Sequence, residues 1–150
     1  MILYPPAKIN LGLHVLYKRS DGFHEIESVM YPLPFYDVLE ILPAQKNSFQ
    51  QSGIIFADTN EKNLCEKALD LIQSKYKTPP VSIHLRKQIP VGAGLGGGSA
   101  DAAYVILALN QLFSLGLSNL EMEEIAATLG SDCPFFIHNK VKMVSGRGEI

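Results

Sequence analysis

The order of segments predicts an α+β fold, a mainly antiparallel mixed sheet packed against helices. Strand-like segments fill the first part of the chain, helical periodicity enters only near position 61, and one more strand then delivers the chain into a glycine-dense loop. A doubly wound parallel sheet would alternate strand and helix from its beginning.

Ile9 to Tyr17 is rich in β-branched and aliphatic residues with partial alternation, the pattern of an opening strand. Arg19-Ser20-Asp21-Gly22 is a turn, with Asp-Gly its strongest signal. Strands follow at Glu25 to Leu33, Val38 to Leu42 and Ile54 to Ala57, and Pro32, Pro34 and Pro43 restrict where they pair centrally. Asp58 with Glu61 resembles a loose capping box. Leu64, Ala68, Leu71 and Ile72 then lay one apolar stripe along a helix that ends near Tyr76. Val81 to Leu85 is a strand. Ala100 to Phe113 is apolar nearly all round, a helix buried on most sides, with Ser99 at its N-cap. Ser118 and Glu121 form a clearer capping box for a third helix, whose Met122, Ile125, Ala126 and Leu129 face inward and which Gly130 ends. Val141 to Val144 is strand-like and precedes the turn-like Ser145-Gly146-Arg147-Gly148.

A chain of 150 residues with 47% hydrophobic content suits one domain and one core. The formal net charge is −2 and the basic residues form no dense run, so neither nucleic acid nor a membrane surface is an expected partner. Any anion site must be local. Cys65 and Cys133 lie far apart without C-x-x-C or histidine spacing, which argues against a disulfide framework or zinc site and for a cytoplasmic setting. The start of the chain lacks the pattern of a signal peptide, and no window approaches the ~18 apolar residues of a membrane span.

The most informative stretch is Pro90 to Ala103, where Gly92, Gly94, Gly96, Gly97 and Gly98 run into the apolar helix. Missing Cβ atoms let backbone N–H groups approach an anion, and the helix N-terminus adds its positive dipole end. A flexible connector is the plainer alternative. Gly92, Gly94 and Gly97 also satisfy G-x-G-x-x-G, but that dinucleotide motif needs an acidic residue about 20 positions on. Position 117 is Leu, and Glu121, Glu123 and Glu124 fall in a helix. A Walker A loop is excluded, because no Gly-Lys-Ser/Thr follows the glycines.

Phosphoryl transfer from such a loop requires charge stabilisation and a group that activates the acceptor. Lys8 and Asn10 share one face of the opening strand by its period of 2, although an exposed strand face explains them too. Asp132, in Gly130-Ser131-Asp132-Cys133-Pro134, is equally a turn starter. Asp101 suits the helix dipole, and His24 suits a surface turn.

Pro6-Ala7-Lys8-Ile9-Asn10-Leu11, Asp21-Gly22-Phe23-His24-Glu25, Pro90 to Ala103, Leu129 to Phe136 and Gly146-Arg147-Gly148-Glu149, taken in order, resemble the GHMP kinases. The resemblance implies a ribosomal-protein-like two-layer fold. Residues 1–150 would be the N-terminal, ATP-binding domain, and the family's C-terminal domain would lie outside this chain. It implies transfer of the ATP γ-phosphate, with Mg2+, to the 2-hydroxyl of a cytidine diphosphate-linked methylerythritol, in isoprenoid precursor synthesis. A dimer is an admissible assembly.

By the same resemblance Asp132 is the catalytic base and Lys8 its paired lysine, an arrangement that favours the ionised carboxylate. Asn10 stands beside the acceptor. Pro90, Gly92, Gly94, Leu95, Gly96, Gly97, Gly98 and Ser99 hold the triphosphate, Ser99 also lying near the metal. Phe23 stacks on the cytosine, His24 reads its edge, and Asn63 and Lys87 lie near the adenine. Phe23 stands where Tyr is frequent, which keeps the ring and loses the hydroxyl. Asp101 receives no catalytic role. A non-catalytic nucleotide-binding module and a dinucleotide-dependent oxidoreductase remain the alternatives.

Overall fold

The computed structural model describes residues 1–20, 22–54 and 62–146. Strands β1 (Ile2–Leu3), β2 (Pro6–Lys18), β3 (His24–Tyr36), β4 (Val38–Pro43) and β5 (Ser48–Gly53) come first. Helix α1 (Leu64–Tyr76), strand β6 (Val81–Lys87), helices α2 (Gly97–Leu112), α3 (Asn119–Ala127) and α4 (Phe135–His138), and strand β7 (Lys142–Val144) complete the order. The α+β expectation holds. One sheet runs β1-β4-β6-β5 and the other β2-β3-β7, with every pairing antiparallel except that of β5 with β6.

The core lies between the four-stranded sheet and the helices. In β6, Val81, Ile83 and Leu85 point inward on alternate positions, and Leu39 and Ile41 do the same from β4. They meet Ala68, Leu69 and Ile72 of α1 and the apolar flank of α2, which includes Val105, Ile106 and Leu109. Among the described residues no helix is long and apolar enough to cross a membrane.

Two expectations change in detail. A strand not expected from sequence forms at Ser48–Gly53; of the strand expected at Ile54 to Ala57, Ile54 is a bend and residues 55–57 lie outside the described residues. Asp58 and Glu61 also lie outside them, and the capping box of α1 is made by Asn63 and Glu66. Asn63 Oδ1 accepts from the Cys65 N–H at 2.8 Å, while Glu66 accepts from the Asn63 N–H at 3.2 Å. The box at Ser118 and Glu121 forms as expected and opens α3.

Pro32 and Pro34 sit within β3, the middle strand of its sheet. They are tolerated because β7 pairs only with Ser28 to Met30, so the prolines lie on an edge with β2 alone as partner.

Candidate active site

β2 opens inside the protein and ends outside it. Ala7 and Lys8 are buried, and from Leu11 onward the strand is exposed. The period of 2 places Lys8 and Asn10 on one face, and the Lys8 ammonium donates to Asn10 Oδ1 at 2.6 Å. The same ammonium lies 3.2 Å from Asp132 Oδ2. The Lys8 side chain is 7% exposed and that of Asp132 27%, so the carboxylate is the half of the pair that faces solvent. Asp132 is held by a tight turn in which the Cys133 N–H donates to Gly130 O at 3.1 Å, just before α4.

The glycine loop runs against this pair. The main-chain N–H of Lys8 donates to Leu95 O at 2.8 Å, so one residue holds both the loop and Asp132. The loop turns through left-handed backbone at Gly92, Gly94 and Gly96. A Cβ at Gly96 would come within 3.0 Å of both the Lys8 Cγ and the Phe136 ring, and one at Gly97 within 2.8 Å of Ile89 Cγ2. Glycine at these two positions is what lets the loop close onto the strand.

The helix start differs from its expected place. Gly96, with φ 69°, is the N-cap and α2 begins at Gly97, so Ser99 is its third residue. The reason is Gly97, which adopts helical backbone while packed against Ile89 and Lys87, where a Cβ would clash. The first helical bond is from the Ala100 N–H to Gly96 O at 2.9 Å. The N–H groups of Gly97, Gly98 and Ser99 therefore precede any intrahelical acceptor, and they line up at the positive end of the helix. Ser99 is half-buried, beside the Gly130 to Cys133 turn. Burial, the larger influence, pushes the Cys133 thiol up to about 11 against a hydrogen bond with Ser99, so it stays protonated and unreactive.

Beneath the loop lies a cluster that the sequence reading did not assemble. Lys87 ends β6 and is buried, with its ammonium paired to Asp37 and, at 2.8 Å, to Asp101. Asp37 is the single residue between β3 and β4. Its Oδ1 accepts from the Gln88 N–H at 2.5 Å and the Ile89 N–H at 2.9 Å. Asp101 is the fifth residue of α2 and points inward, so pairing with Lys87 rather than the helix dipole accounts for it. The Lys87 ammonium, expected near the adenine, is committed to these carboxylates. A lone acid in an apolar helix and another inside Pro34 to Leu42 were the available signals.

Lys8, Asn10, Asp132, Leu95, Gly96 and Ser99 are thus brought to one place, with Pro90 to Gly94 leading into it. Asn63 caps α1, with its amide donating to Gln51 Oε1 at 3.3 Å. Phe23 and His24 lie at the far end of the hairpin, exposed, with His24 in register opposite Lys18. Register shifts between Leu11 and His14 and between Val15 and Tyr17 bend the ribbon that carries them. Glu25 braces this end, bonding Arg19 at 2.6 Å and the Gly146 N–H at 2.9 Å.

The glycine loop at the start of α2 thus lies beside a lysine–aspartate pair, and the family profile of the GHMP kinases N terminal domain matches residues 63–140, slightly more than half of the chain. The chain belongs to this family. It is 52% identical over 149 residues to the 4-diphosphocytidyl-2-C-methyl-D-erythritol kinase of Cytophaga hutchinsonii, a match covering 99% of this chain and 55% of that protein. The protein of the same name from Parabacteroides distasonis is 50% identical over 148 residues, covering 99% of this chain and 55% of its own length. A crystal structure of 4-(cytidine 5'-diphospho)-2C-methyl-D-erythritol kinase superposes with a TM-score of 0.84 at 37% identity, over 99% of this chain and 53% of that one. The chain spans about half the length of the curated relatives it matches.

Proposed function

We propose that this chain is the nucleotide-binding part of an ATP-dependent kinase that phosphorylates the 2-hydroxyl of 4-diphosphocytidyl-2-C-methyl-D-erythritol. The observation that carries the reading is Lys8, bonded through its main chain to the phosphate loop and through its ammonium to Asp132. An acceptor hydroxyl at Asp132 would face a phosphoryl group held at Gly94 to Ser99. The names of the relatives support the choice of alcohol.

In this mechanism Asp132 would accept the hydroxyl proton as the oxygen attacks the γ-phosphorus, and the bond from that phosphorus to the β,γ-bridging oxygen breaks to release ADP. Asn10 and Asp132 engage two of the three Lys8 N–H donors, which leaves a third that would serve a γ-phosphoryl oxygen. The loop N–H groups hold the β- and γ-phosphates, with Pro90, Gly92 and Leu95 shaping the turn. The donor set fits magnesium, since that ion keeps waters and nucleotide phosphates and asks the protein for only one or two oxygens. The Ser99 hydroxyl would supply one of them, and the bound ion would neutralise phosphate charge. Phe23 and His24 receive the cytosine, by stacking and by edge hydrogen bonds. Asn63 and the main chain around Lys87 flank the adenine. A cytoplasmic homodimer is the setting consistent with this reading.

The test is ADP formation from MgATP by the full-length gene product, with and without 4-diphosphocytidyl-2-C-methyl-D-erythritol. ADP that forms only with the alcohol is the expected result. Binding of MgATP without ADP formation would favour a non-catalytic module, and preference for NAD over ATP would favour dinucleotide chemistry.

A further inference from the structure

We propose that Asp37, Lys87 and Asp101 form the positioning device of the phosphate loop, clamping the strand that enters it to the helix that leaves it. The three residues come from the β3–β4 junction, the end of β6 and the second turn of α2, and none is more than 3% exposed. Asp37 holds the N–H groups of Gln88 and Ile89, the first residues after β6. Lys87 links Asp37 to Asp101. The loop therefore spans two points joined by one ammonium, and the clamp sets the spacing of the N–H groups between them. Gly97 confirms how close the clamp lies, because a Cβ there would stand 3.1 Å from Lys87 Nζ. The inference rests on reading the loop as an ATP site.

Two carboxylates and one ammonium leave a buried excess of negative charge, which is costly unless a proton is retained. Asp101 Oδ1 has no hydrogen-bond partner in its buried position, and a proton there would donate toward Asp37. Burial is the main cause that raises Asp101 to about 7, with Lys87 opposing it and Asp37 reinforcing it. Burial also opposes the charge of Lys87, but the carboxylates of Asp101 and Asp37 overcome it and the lysine stays protonated. Cys65 of α1 also faces the cluster, and burial holds its thiol neutral. Above neutral pH Asp101 ionises and loosens the clamp beneath the triphosphate.

The experiment measures KM for ATP, KM for the alcohol and kcat in the full-length gene product, with MgATP affinity by calorimetry. Asp101→Ala is expected to raise KM and Kd for ATP by at least ~5-fold and to leave KM for the alcohol within about 2-fold, the separation expected of a group that acts on one substrate. Asp101→Asn, which mimics the protonated acid, is expected to match the unmodified protein near pH 6 and to bind ATP more tightly than it by pH 8.5. Unchanged KM for ATP in a folded Asp101→Ala protein would overturn the proposal, as would equal increases in both KM values. Should Asp101→Ala fail to fold, Asp101→Asn decides: a ratio of ATP affinities to the unmodified protein that stays constant between pH 6 and 8.5 overturns it. An unmodified protein that binds no MgATP overturns the ATP reading and the clamp together, before any substitution is made.

Discussion

Asp132 and Gly96 differ in how cleanly a substitution reports on them. Asp132→Asn keeps the shape beside Lys8 and removes the proposed base, so turnover should fall by at least ~10²-fold while ATP affinity stays within a few-fold. Steady-state kinetics with a separate binding titration check this, and unchanged turnover would remove Asp132 from the chemistry. From sequence, a side chain at Gly96 is expected to occupy the phosphate's space. The structure adds that it would strike the Lys8 stem and the Phe136 ring from a left-handed backbone. Gly96→Ala should therefore lower kcat as well as ATP affinity, and an effect on affinity alone would show that Lys8 is not displaced. Lys8 and Asn10 were legible because alternation alone puts them on one face. Asp37 was not, since an acid at a strand junction has the look of any turn residue, and its role depends on positions 37, 87 and 101 meeting in space.

Asn63 joins two roles at the start of α1, as helix cap and as the residue expected beside the adenine. Asn63→Asp keeps the oxygen that caps Cys65 N–H and removes the amide donor, whereas Asn63→Ala removes both. Urea unfolding should show a loss of ~1 kcal/mol for Asn63→Ala and almost none for Asn63→Asp. KM for ATP should rise in both, and a rise confined to Asn63→Ala would assign Asn63 to the helix alone. Elements with strong periodicity were readable: β2, β3, β4, β6 and the three longer helices all lie near their expected places. β5 was not, because Ser48-Phe49-Gln50-Gln51-Ser52-Gly53 has little of the β-branched content of a strand and gains its place by lying parallel to β6 at the sheet edge. α4 is a four-residue helix, too short for periodicity to register.

The buried charge cluster gives the whole molecule a pH-dependent stability. Asp101 carries a raised value in the folded state, near 7 against an ordinary 3.8, so folding takes up a proton between those limits. Its contribution is fully present below about pH 4 and is lost as pH rises through about 7. Thermal unfolding should therefore show Asp101→Asn gaining on the unmodified protein between pH 5 and 7, with the difference constant above pH 8; a difference that does not vary would place Asp101 outside the linkage. Another molecular feature is the ribbon of β2, where Leu11, Leu13, Val15, Leu16 and Tyr17 are each 49% to 60% exposed. At the root of that ribbon stands Lys8, tied to Leu95 by its main chain and to Asp132 by its side chain. Loop and carboxylate are in effect measured from a common benchmark. On the proposed function, a displacement of Lys8 would shift the phosphate loop and the acceptor's base together, so the distance between them would depend on this one residue.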